Sequence, residues 1–294
     1  MRSGRSGGTK TVPSRVLIAG AGGMLGTALQ MVLAGRNVEV TAPSEAEFDI
    51  TDEPRTRAVL RAFAAAGGGV LINAAAYTNV EAAEDNAELA YRVNETGARI
   101  LAEAAHDLGV GFVHVSTDFV FDGTRDGAYS EYLVTNPLSV YGASKLAGER
   151  AVLEVCPQAL IVRTAWVFGP GGLNFPAKIL ELARTRDSLS VVTDEIGSPT
   201  YTLDLAAGIL GLVDAGASGI VHLAGAGSCS RYELAAEVLR LAGLERELVP
   251  VTSDAFPSRA ARPKNSVLDC SRAASLGVTM PEWRDALERF VQRA

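Results

Sequence analysis

Between residues 16 and 163 short apolar runs alternate with stretches of helical periodicity, and few architectures accept that rhythm. Val16-Leu17-Ile18-Ala19 ends in glycines, and Met24 to Leu33 then has helical spacing. Further short runs follow at Val38–Val40, Val70–Ile72, Gly111–Ser116 and Ala159–Arg163. Between them, helices are expected at Arg55–Ala66, Ala87–Leu108 and Ser144–Glu154. A strand with one wet face alternates polar and apolar residues; these runs are continuously apolar, so both faces are buried. The expectation is an α/β chain with a Rossmann-type doubly wound parallel sheet.

After Trp166 the rhythm loosens, and Gly169-Pro170-Gly171-Gly172 and Ile196-Gly197-Ser198-Pro199 interrupt it. Residues 15–165 are therefore read as a dinucleotide-binding domain and 166–294 mainly as a smaller C-terminal substrate-binding lobe. A segment near 219–223 is expected to return to the main sheet. With 294 residues, 48% of them hydrophobic, there is material for a substantial core.

The net charge of −7 comes without a basic block, which argues against nucleic-acid binding. No apolar run is long enough to cross a membrane. Cys156, Cys229 and Cys270 are odd in number and show no CxxC spacing, and His106, His114 and His222 are scattered. No metal site is expected, and His114 reads as a core residue. Reduced thiols suit a cytoplasmic protein. The first fourteen residues are Gly/Ser-rich and basic with no signal-peptide core behind them, and read as a flexible arm.

Gly20, Gly23 and Gly26 have GxxGxxG spacing between the first strand and the first helix. One glycine makes the turn, one lets backbone approach a pyrophosphate, and the last lets helix and strand pack. The phosphates then meet free N–H groups at the helix N-terminus. After the second strand, neither an arginine for a 2′-phosphate nor an acid at the tip for a ribose stands out. The choice between NADH and NADPH stays open, and Asp49 is a candidate for the adenine.

Tyr141 and Lys145 have the spacing YxxxK, which puts phenol and ammonium on one helix face. A lysine cation is expected to lower the phenol's pKa towards the neutral range. Val115-Ser116-Thr117-Asp118 brings hydroxyls to the carboxyl end of a strand, where open α/β sheets collect ligands.

These segments together resemble the extended short-chain dehydrogenase/reductase family, and within it the dTDP-4-dehydrorhamnose reductase group. The resemblance lies in GAGGMLG (20–26), FDITD (48–52), NAAAYTNVEAAE (73–84), VN (93–94), HVSTDFVFDG (114–123), PLSVYGASKLAGE (137–149), RTAWVFG (163–169), NF (174–175) and DEIGSPT (194–200). It implies reduction of the C4 ketone of a dTDP-6-deoxy-4-keto-hexose by NADPH or NADH, with dTDP-L-rhamnose as the preferred product. By position it implies that Gly20, Gly23, Met24 and Leu25, with Gly26 closing the loop, cradle the pyrophosphate. Asp49 and Ile50 would lie at the adenine, and Ala74, Ala75 and Ala76 would line the cofactor channel. Tyr141 would donate the proton, and Lys145 would bind the nicotinamide ribose. Thr117 would hydrogen-bond the reacting oxygen and with Asp118 touch the sugar; Trp166 would pack on the substrate and Asn174 reach the diphosphate. Plainer roles stand beside these: core packing for Trp166, a turn cap for Asp118, a helix cap for Asn174, packing for the three alanines.

Some members of the group form a magnesium-bridged dimer through a glutamate two residues after the last loop glycine. Ala28 stands there in this chain, so a monomer is expected. Two other readings remain: an epimerase or dehydratase of the same superfamily that recycles its cofactor, and a non-catalytic nucleotide-binding regulatory subunit.

Overall fold

A computed structural model of the chain describes residues 13–293, so the arm read over residues 1–14 lies outside them except for its last two residues. Five strands, β1 (Arg15–Ala19), β2 (Glu39–Thr41), β3 (Val70–Asn73), β4 (Gly111–Thr117) and β5 (Leu160–Thr164), join the edge strand Gly219–His222 in one sheet. Their spatial order is Gly219–His222, β5, β4, β3, β1, β2, and every pairing is parallel. From β1 the chain runs first to β2 on one side and then to β3 on the other. That reversal opens a crevice at the carboxyl ends of the strands, the usual ligand position in such sheets.

Successive side chains of a strand point to opposite faces, so one apolar run feeds two cores. Val16, Ile18 and Ile72 pack with α1 (Met24–Leu33) and with Leu205 and Ile209 of the helix Thr202–Asp214. Leu17, Leu71 and Ile161 pack on the other face with Leu60, Phe63 and Leu101, from the helices Glu53–Ala65 and Ala98–Asp107. A third core, with Phe168, Tyr201, Trp283 and Phe290, holds together a lobe beside the sheet. The helices Phe175–Ala183, Arg231–Leu241 and Trp283–Val291 belong to it. Its strands Ser188–Val192 and Glu247–Val251 form a separate parallel pair.

The single helix expected over Ala87–Leu108 is interrupted. A π turn, Arg92–Gly97, separates Ala87–Tyr91 from Ala98–Asp107. The turn carries Asn94, whose side chain accepts from Tyr77 N–H (2.8 Å) and donates to Tyr77 O (3.2 Å) and Ser144 Oγ (2.9 Å). Gly148 permits the close approach, since a Cβ there would come within 2.0 Å of Asn94 O. Such π turns recur where a helix must aim a side chain; this one fastens the segment after β3 to the YxxxK helix. That helix begins at Val140 rather than Ser144, because Ser139 caps it by accepting from Gly142 N–H (3.2 Å). Among the described residues no helix is long and apolar enough to cross a membrane.

Candidate active site

A cleft of about 940 Å³ runs along the carboxyl ends of the strands, between the sheet and the lobe. Gly20, Gly22, Gly23, Met24 and Leu25 line one side of it. Gly20 has φ +77, and a Cβ on it would lie 2.5 Å from Ala75 N. At Gly22 a Cβ would meet nothing within 4 Å, so the loop offers open backbone to the cleft. Gly23 begins α1 without a side-chain cap, which leaves first-turn N–H groups for an anion. A dinucleotide pyrophosphate fits this cradle. Gly26 does not line the cleft; a Cβ there would press to 2.2 Å from Gly20 O, so it serves close packing of the loop against α1.

Ala74, Ala75 and Ala76 form the adjoining wall, and Asp49 and Ile50 lie further along. Asp49 accepts from Thr51 N–H (2.9 Å) and Oγ1 (2.8 Å), bonds that hold its carboxyl below the usual range.

Thr117, Asp118, Tyr141 and Lys145 meet in the same cleft. Thr117 Oγ1 donates to Asp118 Oδ1 (3.0 Å) and accepts from Phe119 N–H (3.2 Å). The Tyr141 ring stands edge-on to Phe119. Its pKa departs from the sequence expectation. Burial pushes it up to about 12; a hydrogen bond with Thr117 works against that rise, and the charge of Asp118 adds to it. Lys145 is not among the groups that move it; Lys145 Nζ donates to Val115 O at 2.7 Å. Burial lowers Lys145 to about 8, with Glu149 opposing. Asp118 is raised to about 6 by burial, against the pull of neighbouring hydroxyls and Arg231. Its Oδ2 is buried with no hydrogen-bond partner among the described residues. His114 is a core residue: its Nδ1 bonds to Asn73 Nδ2 (3.1 Å), and burial first, then the Lys145 charge, keep it neutral.

Trp166 lines the cleft with φ +45, the one positive φ among described non-glycine residues. The Arg231 guanidinium stacks 3.4 Å from the centre of its ring. On Gly197 a Cβ would come within 2.2 Å of the indole, so a glycine is required there. Asn174, expected at a diphosphate, is committed elsewhere. Its Oδ1 accepts from Ala177 N–H (3.0 Å) and its amide donates to Gly169 O (2.8 Å) and Gly172 O (3.0 Å). Asn174 caps the helix Phe175–Ala183 and does not line the cleft.

Two arginines of the cleft went unnoticed in the sequence, Arg231 and Arg262. Arg231 directly follows Ser230, the capping-box serine of its helix, and nothing local marks it as a site residue. Arg262 lies on a strap tied to the helix Val80–Asp85. There Glu81 accepts from Ser258 Oγ (2.5 Å), Arg259 N–H (3.1 Å) and Arg262 (2.9 Å), and Asp85 pairs with Arg259.

What the parallel sheet, the switch-point cleft and the YxxxK helix define together is a class: nicotinamide-dependent oxidoreductases of the extended short-chain dehydrogenase/reductase type. Within that class the chain belongs to the dTDP-4-dehydrorhamnose reductase family; the family model described as RmlD substrate binding domain matches residues 14–294. A dTDP-4-dehydrorhamnose reductase of Mycolicibacterium smegmatis is 43% identical over 282 residues, 94% of this chain and 85% of that one. A dTDP-4-keto-6-deoxy-D-glucose reductase of Streptomyces niveus is 41% identical, covering 93% and 95%. The crystal structure of dTDP-4-dehydrorhamnose reductase from Bacillus anthracis in complex with NADP superposes with a TM-score of 0.91 at 37% identity, covering 96% of this chain and 99% of that one.

Proposed function

We propose that this protein uses NADPH or NADH to reduce the C4 ketone of a dTDP-6-deoxy-4-keto-hexose, converting dTDP-4-dehydro-L-rhamnose to dTDP-L-rhamnose. The observation that carries the reading is the meeting of Thr117, Tyr141 and Lys145 in the cleft that the glycine loop also lines. The names of the relatives point the same way. When bound, a reduced nicotinamide supplies hydride to the ketone carbon.

The chain's own residues handle the oxygen. With its pKa near 12, Tyr141 stays protonated across the neutral range and is suited to donate a proton rather than accept one. The Thr117 hydroxyl, beside it, stabilises the negative charge that develops on the carbonyl oxygen once its hydrogen turns from Asp118 Oδ1 to that oxygen. Lys145 has three N–H donors and spends one on Val115 O, which leaves two for a ribose hydroxyl and the phenol. Asp118, with its unpartnered oxygen, and Trp166 receive the sugar. Gly20, Gly23, Met24 and Leu25 take the pyrophosphate, Asp49 and Ile50 the adenine, and Ala74 to Ala76 the channel between. We also infer a cytoplasmic monomer. Ala28 is buried in the core and offers no ligand for a magnesium bridge.

The test is a coupled NAD(P)H oxidation assay against a panel of dTDP-4-keto sugars, with wild type and Tyr141→Phe. Wild type consumes reduced cofactor with the rhamnose precursor. Loss of the phenol lowers kcat by about 10²- to 10⁴-fold, while cofactor affinity stays put. Near-normal turnover in Tyr141→Phe would sink the donor role. An epimerase or dehydratase would show turnover without net cofactor consumption, and a regulatory subunit none.

A further inference from the structure

Trp166 has a backbone conformation that a bulky side chain seldom adopts. Its φ of +45 lies in the left-handed region, which is strained for such a residue and persists only where the surroundings over-determine it. Three contacts do so here. Trp166 O accepts from Thr200 N–H (3.2 Å), the indole lies against Gly197, and the Arg231 guanidinium covers the ring face at 3.4 Å. One short antiparallel ribbon delivers the last two. Ile196–Gly197 pairs with Cys229–Ser230, and Arg231 N–H donates to Glu195 O (3.2 Å).

Helix stability does not account for an arginine at this position. Arg231 opens the helix Arg231–Leu241, where the macrodipole disfavours a cation, and Ser230 with Glu233 already caps that end. Burial lowers the pKa of Arg231; the carboxylates of Glu195 and Asp118 oppose that, and the charge of Arg262 adds to it. The ion pair with Glu195 is long, with Nε 3.4 Å from Oε2. The better contacts of the guanidinium are with the cleft wall: the Trp166 ring, and the Phe175 ring at 5.1 Å. The groups that act on Asp118 are the Thr117 and Ser266 hydroxyls, the Tyr141 phenol and, as the cation, Arg231.

We propose that Arg231 is a positioning residue for the sugar, locking the Trp166 indole into the cleft wall and keeping a positive charge beside Asp118. The inference rests on the reductase reading, in which Trp166 and Asp118 receive the sugar. The experiment compares wild type, Arg231→Gln and Arg231→Lys; lysine keeps the charge without the flat stacking plane. Acrylamide quenching of tryptophan fluorescence reads the indole directly, because the other tryptophan, Trp283, is buried in the third core. Quenching should rise in both variants and not respond to the same substitutions in a Trp166→Phe background. KM for the 4-keto sugar should rise about tenfold, as for loss of a desolvated cation–π contact. The value of kcat should fall much less, because Tyr141, Thr117 and Lys145 are untouched. The acid limb of kcat/KM should move to higher pH in Arg231→Gln, since a nearby cation favours the carboxylate, and stay in place in Arg231→Lys. Arg231→Lys keeps a cation for Glu195, so it carries the quenching and KM measurements if Arg231→Gln melts early. Unchanged quenching, unchanged KM, or an unmoved limb in folded Arg231→Gln overturns the inference and leaves the reductase reading standing. A wild type that consumes no cofactor with any 4-keto sugar overturns the reductase reading, and quenching alone then decides whether Arg231 holds the indole.

Discussion

Burial pushes two acids in one wall of the cleft upward, with opposite consequences. Tyr141, raised to about 12, stays protonated across the neutral range. Asp118, at about 6, changes charge within the range where an assay can be run. Above pH 6 it is a carboxylate whose Oδ2 can accept a sugar hydroxyl; below, it is protonated and that acceptor capacity falls. We therefore expect kcat/KM for the sugar to decline as pH drops through about 6, while cofactor affinity is unaffected. Asp118→Asn should abolish this limb and give a low, flat profile; a limb that persists in Asp118→Asn would assign it to another group. At this scale the identity of Tyr141, Lys145 and Thr117 was legible, because spacing alone puts two of them on one helix face and the third at a strand end. The direction of the Tyr141 shift was not. Sequence shows that a lysine lies four residues away, but not that the phenol is buried, with the charge of Asp118 beside it.

The helix Val140–Val155 extends the Tyr141–Lys145 spacing by one more step to Glu149. Glu149 is buried against β4 and β5, accepting from Ser116 Oγ (2.5 Å), Arg163 Nε (2.8 Å) and Arg163 Nη2 (2.6 Å). It thus ties the helix to the strand that carries Val115 and Thr117, and it raises the pKa of Lys145 against the effect of burial. Replacing it with Gln removes the charge that supports Lys145 and leaves Arg163 unpaired. Unpairing a buried charge costs about 3 to 5 kcal/mol, which urea denaturation would read. The sign of the activity effect also follows. Lys145 is charged below about 8, so losing its carboxylate support moves the alkaline limb of kcat to lower pH. An unmoved limb in a folded Glu149→Gln protein would show that Glu149 only packs. Element boundaries were legible to within a few residues where apolar periodicity was strong. The π turn at Asn94 was not, because it answers to Tyr77 and Ser144, both distant in sequence. Asn174 went the other way: the residues Asn-Phe-Pro spell a helix cap, and the structure uses the asparagine as one.

At the scale of the whole molecule, the doubly wound sheet was written plainly in the first part of the chain, and the return of residues near 219 to it was legible as one more apolar run. The closure of the lobe over the cleft was not, since the strap from Ser258 to Arg262 is fastened by charges to a helix almost 180 residues earlier. The position of the edge strand has a practical result. A fragment ending at residue 165 would leave the fully buried β5 with an open edge in place of Gly219–His222. Open apolar edges invite pairing between chains, so this fragment should aggregate where one carrying the edge strand in trans or by fusion should not. Light scattering during refolding would distinguish the two, and a monodisperse, nucleotide-binding 13–165 fragment would refute the expectation. The same strand sets a timetable for biosynthesis. A ribosome delivers the glycine loop, Tyr141 and five of the six strands first. It must then make more than fifty further residues, Ala165 to Ser218, before the sheet's missing edge exists. Throughout that interval the nascent chain carries an unfinished sheet.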